Sequence, residues 1–95
     1  MNDILDLKPK KKEHVRIRPQ MDEYALFDTL TARFFVINEI GYNVFSQCDG
    51  NKNVEEITEI IYDMCIEKPE KLEIQNDIIE MIDMLVKYNL IEVSA

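Results

Sequence analysis

The sequence predicts an α+β fold: a three-stranded antiparallel sheet followed by a three-helix bundle. Three observations carry this. Short runs that alternate or are rich in aromatic and β-branched residues precede residue 38, and apolar residues recur at helical intervals after it. Asp, Gly, Asn and Pro fall between the periodic segments, where turns need them. The 95-residue length allows one hydrophobic core and leaves little for a second. Strands first and helices second place the helices together on one side of the sheet.

Residues 14–18 alternate, with Val15 and Ile17 turned one way, and Pro19 ends the run. Glu23–Asp28 forms a second strand and Arg33–Ile37 a third, rich in aromatic and β-branched residues. The link from Asp28 to Ala32 suits a hairpin, so these two strands pair antiparallel. Asn38 then caps a helix with Ile40, Val44, Phe45 and Cys48 on one face, and Asp49-Gly50 stops it. Asn53 with Glu56 three residues on is a capping box, opening a helix whose apolar face is Val54, Ile57, Ile60, Ile61, Met64 and Cys65. Pro69 marks the next connection. A third helix runs from about Glu73 to Tyr88, with Ile74, Ile78, Met81, Ile82 and Leu85 as its core stripe. Asn89 caps it, and residues 90–93 pack or pair as a short strand.

Charge is unevenly placed. The net charge is −8, yet Lys8, Lys10, Lys11, Lys12, Arg16 and Arg18 crowd the start. Residues 1–13 are read as a flexible, solvated basic arm and residues 14–93 as the domain. The acidic helical part opposes nucleic-acid binding, because a phosphate backbone needs a basic face. No apolar run approaches the ~20 residues that span a bilayer, and residues 1–12 lack a signal-peptide stretch. A cytoplasmic protein with no membrane partner is expected. Cys48 and Cys65 are read as buried thiols, with a disulfide disfavoured there. Zinc would need about four Cys or His ligands, and only His14 could join them, so no metal is expected.

Catalytic groupings are missing too. His14 is the sole histidine, Ser46 and Ser94 lie in no nucleophile pattern, and Gly41 and Gly50 form no phosphate loop. The chain is expected to be a binding domain, neither an enzyme nor a cofactor carrier. Two features suit a peptide. Phe34, Phe35, Val36 and Ile37 make the third strand apolar on both faces, and without proline or lysine it is an unprotected edge. Covering of the second face by the third helix is the structural alternative. Asp77, Met81, Met84 and Tyr88 run beside the core stripe of that helix, an adaptable flank for a guest. The opposite flank, Gln75, Ile79, Ile82 and Val86, is also apolar, and sequence does not say which one faces the sheet.

Tyr24-Ala25-Leu26-Phe27-Asp28, Phe35-Val36-Ile37-Asn38, Cys48-Asp49-Gly50, Val54-Glu55-Glu56-Ile57 and Tyr88-Asn89-Leu90-Ile91, in this order, resemble the PqqD-like family. Asn89 stands where the family has Gly, and Ile40-Gly41-Tyr42 departs from its small residues. The resemblance implies a winged-helix-like RiPP recognition element, a domain that binds the leader of a ribosomally made precursor peptide. It implies that the leader adds as an antiparallel strand on Arg33, Phe34, Phe35, Val36 and Ile37. Asp77, Met81, Met84 and Tyr88, with Lys87 near the end, would form the opposing wall. The implied partner is a modifying enzyme, such as a radical-SAM maturase or a lasso-peptide protease and cyclase. A winged-helix DNA-binding regulator and an adaptor subunit without a peptide ligand are the alternatives. The open edge also allows a monomer or a weak homodimer. Proline at Phe35 is expected to stop strand addition if that residue's N–H faces the edge.

Overall fold

The computed structural model describes residues 4–20, 23–67 and 69–94. A 3-10 turn at Ile4–Asp6 precedes strands β1 (Lys8–Lys11), β2 (Val15–Gln20), β3 (Glu23–Asp28) and β4 (Arg33–Ile37). Helices α1 (Glu39–Gln47), α2 (Val54–Met64) and α3 (Lys71–Lys87) follow, and β5 (Ile91–Ser94) comes last. The expected three-stranded antiparallel sheet is present, in the order β2-β3-β4. Its inward residues Val15, Leu26 and Ile37 join Val44, Phe45, Ile57, Ile61, Ile78, Ile82 and Leu85 in one core. The helices therefore cover one face of the sheet.

Each junction has a local cause. Asn38 accepts a hydrogen bond from the Gly41 N–H at 2.8 Å and starts α1. Asn53 and Glu56 form the reciprocal capping box of α2, at 2.8 and 3.1 Å. α3 ends in a Schellman motif: Asn89 takes a left-handed φ of 61°, its N–H donates to Val86, and the Leu90 N–H donates to Leu85. Asn89 thus does the work of glycine. In α2 the buried face is Val54, Ile57, Thr58 and Ile61. Met64, expected on that face, is 54% exposed.

The N-terminal segment differs from the expected free arm. β1 pairs antiparallel with β5, matching Lys8 with Ser94 and Lys11 with Ile91 in a second, two-stranded sheet. Its other side is held as well: the Gly50 N–H donates to Pro9 and the Lys11 N–H to Cys48, both at 2.9 Å. Pro9 is fully buried. Of its lysines only Lys10 is exposed; Lys8 and Lys11 are half-buried, and the Lys11 ammonium donates to the Ser46 carbonyl at 3.3 Å.

Two aspartates tie loops to the sheet. Asp28, buried at the end of β3, accepts from the Leu30 and Thr31 N–H groups at 2.8 and 3.2 Å. Burial alone would raise its pKa, but those bonds outweigh it and hold the carboxyl below its ordinary value. Asp49 is brought down to about 2, chiefly by Lys52, then by the Asn51 N–H. A carboxylate with a depressed folded pKa stabilises above its unfolded value, near ~3.9, and loses that contribution as pH falls through the folded value. The urea midpoint should therefore be flat from neutral pH to about 5 and fall between about 4 and 2. Asp28→Asn with Asp49→Asn should flatten that fall; an unchanged slope would exclude these two groups.

Candidate functional site

β4 pairs with β3 on one side, and no described strand pairs with its other side. The hydrogen-bond phase of that open edge follows from one contact. The Thr29 N–H donates to His14 at 2.9 Å, so Thr29 directs its main-chain groups toward β2. Main-chain direction alternates along a strand. Asp28, Leu26 and Tyr24 therefore face β4, where their partners are Arg33, Phe35 and Ile37. Agreeing with this, the Asp28 carbonyl accepts from the Ala32 N–H across the hairpin. Phe34 and Val36 consequently turn their N–H and C=O groups to the open edge. The condition attached to proline at Phe35 is not met, since the Phe35 N–H belongs to the β3 ladder. The same phase explains Pro19 inside β2: opposite Tyr24 it sits where no ladder donor is needed.

Side chains divide the other way. Arg33, Phe35 and Ile37 point to the helical side. The Phe35 ring lies 5.0 Å from that of Tyr88. The Arg33 guanidinium sits 5.5 Å from the Phe35 ring centre and 5.9 Å from that of Tyr88, and the Lys87 ammonium is 5.8 Å from Tyr88. At the other end, a Cβ on Gly41 would meet the tip of Met81 at 2.8 Å and the Ile37 side chain at 3.1 Å. Met81 thus fills the space that glycine leaves. Beside it an open hollow of about 360 Å³ is lined by Asn38, Ile40, Asp77, Glu80, Met81 and Met84.

Helix α3 therefore runs antiparallel to β4, with Tyr88 beside Phe35 and Met81 beside Ile37. Of its two apolar flanks, the one carrying Met81, Met84 and Tyr88 faces the sheet edge. On the opposite flank Ile82 is in the core, Ile79 packs against it, and Val86 is 41% exposed. Phe34 and Val36 project from the far face of the sheet, 58% and 68% exposed, with Phe34 against Phe27 at 4.6 Å. The helix covers one face of β4 only. Asn38, Ile40 and Glu80 line the hollow and were not among the expected site residues. Glu80 could have been found, being one turn from both Asp77 and Met84.

The charges are segregated. Arg33 and Lys87 sit at the Tyr88 end, Asp77 and Glu80 at the Met81 end, and none forms an ion pair with a described residue. His14 lies elsewhere, with Nε2 3.7 Å from the Asp28 carboxylate. The Cys48 thiol is buried and donates to the Val44 carbonyl at 3.1 Å. Burial pushes its pKa up to about 12. Among the described residues no helix is long and apolar enough to cross a membrane.

Residues 23–91 match the profile of the family described as coenzyme PQQ synthesis protein D, PqqD. No curated protein matches the chain. Two solved structures share its fold. "TbiB1 in Complex with the TbiA(beta) Leader Peptide" superposes with a TM-score of 0.73 at 22% identity, over 90% of this chain and 98% of that one. "Lasso peptide synthetase B1 complexed with the leader peptide" gives 0.70 at 10% identity, over 93% and 99%.

Proposed function

The chain belongs to the PqqD family, and on that footing we propose that it binds the leader of a ribosomally made precursor peptide and presents it to a modifying enzyme. The observation that carries this reading is the open edge of β4, where the main-chain groups of Phe34 and Val36 face outward. A guest strand there completes two donor–acceptor pairs and lays alternate side chains against Phe35, Tyr88, Met81 and Met84. Main-chain bonds give affinity without regard to sequence, and the cleft selects side chains. Both solved structures of like fold are complexes with leader peptides.

An antiparallel guest runs from the Ile37 end to the Arg33 end. Whatever follows the leader then leaves beside the β3–β4 hairpin, where the enzyme would receive it. A radical-SAM maturase or a lasso-peptide protease and cyclase suits that role. The reading gives this chain no catalytic step. In support, His14 lies on the β2 side of β3, across the sheet from the open edge, and the Cys48 thiol stays protonated at neutral pH.

Isotope-labelled protein titrated with leaders of candidate precursors tests the proposal. Shifts should be confined to Arg33–Ile37 and residues 77–88. Saturating leader that moves only other amides, or none for every candidate, would refute it.

A further inference from the structure

We propose that the cleft reads charge order in its guest: a basic residue four positions before an acidic one, with an apolar residue midway. This rests on strand addition at β4 and adds which peptides are accepted.

The two ends of the cleft carry opposite, unpaired charge. Arg33 and Lys87 flank Tyr88, while Asp77 and Glu80 line the hollow beside Met81. None is neutralised by a described residue. Arg33 is held in place by the Phe35 and Tyr88 rings, so its charge is positioned as well as free. An apolar floor lies between the ends, formed by Phe35, Met84 and Met81.

Geometry sets the spacing. Inward guest residues alternate, so those opposite Arg33 and Ile37 are four apart. That stretch of strand is about 13 Å long at ~3.3 Å per residue. Asp77 and Tyr88 are eleven residues apart on α3, about 16 Å along the helix. Two inward positions separated by four residues therefore reach both charged ends, and two residues apart do not. Direction sets the order. In an antiparallel guest the residue at the Ile37 end comes first, so the base precedes the acid. The four charged residues are exposed, so each contact is modest and screened by salt, but reversing both ends of the guest penalises two contacts at once.

Two pools of synthetic eleven-residue peptides test this. One has Lys or Arg at position 4, Leu or Phe at 6 and Asp or Glu at 8. The other has the charged positions exchanged, and the remaining positions are randomised identically. Amide shifts of labelled protein serve as the readout. The first pool should shift the amides of Arg33–Ile37 at about tenfold lower concentration, and the gap should narrow in high salt. The double variant Arg33→Glu with Asp77→Lys leaves each end without net charge, because Lys87 and Glu80 remain, and should abolish the preference. Equal binding of both pools at β4, or a preference for the exchanged order, overturns the charge rule and leaves strand addition standing. No shift at β4 from either pool removes strand addition, and the charge rule with it.

Discussion

Proline at Phe34 and Val36 together should abolish leader binding and leave the domain folded, whereas proline at Phe35 should strongly destabilise the fold. The first two N–H groups face the open edge, so their loss takes nothing from the β3 ladder. A proline ring there removes a donor that the guest needs and puts Cδ where its carbonyl must approach. A net main-chain bond is worth about 0.5–1.5 kcal/mol; the steric block adds to that, so affinity should fall by at least about tenfold for each and be undetectable for both. Proline at Phe35 removes an N–H within the ladder and tears an aromatic side chain from Tyr88, at a cost of about 3 kcal/mol or more. Phe34→Ala serves as the control, separating the lost ring from the lost donor. Thermal melts and peptide anisotropy read the two effects separately. Full affinity in folded Phe34→Pro, Val36→Pro protein would rule out strand addition at this edge.

That experiment depends on a property that was not legible in the sequence. The apolar run 34–37 marks an exposed-edge strand, and the strand is where it was expected. Period-two alternation, though, fixes which side chains share a face and says nothing of which amide faces which neighbour. Only the pairing of Thr29 with His14 sets the phase. The two flanks of α3 were ambiguous for a similar reason. Both are apolar, and the choice between them depends on how α3 sits against α1, where the missing side chain of Gly41 admits Met81. The capping residues Asn38, Asn53 and Asn89 were readable because their interactions are local, within three or four residues. The hollow joins the start of α1 to the middle of α3, about forty positions away along the chain, and no local pattern announces Asn38 or Ile40 as its lining.

The N-terminal strand is hidden in the sequence because three of its four residues are lysines, which composition marks as solvated. Its attachment is through main-chain groups, which composition does not display, and through one residue, Pro9, that lies buried among those lysines. A consequence is that deleting residues 1–12 should unfold the domain instead of trimming a tail. The deletion removes the ladder to β5 and the bonds Gly50 to Pro9, Lys11 to Cys48 and Val54 to Leu7. At about 0.5–1.5 kcal/mol each, three such bonds alone amount to a few kcal/mol. The deletion also exposes Ile91 and Leu90, both buried now, and leaves β5 unpaired. Burying one large aliphatic side chain is worth about 1.5–3 kcal/mol, so the combined loss rivals the 5–15 kcal/mol that holds a typical domain together. Lys8→Gln with Lys10→Gln, which removes charge and keeps the strand, should leave the melting temperature within a few degrees of the parent. A truncated protein that melts as cooperatively and as high as the full chain would show that β1 is an ornament of the fold, and that the sheet and three helices are sufficient by themselves.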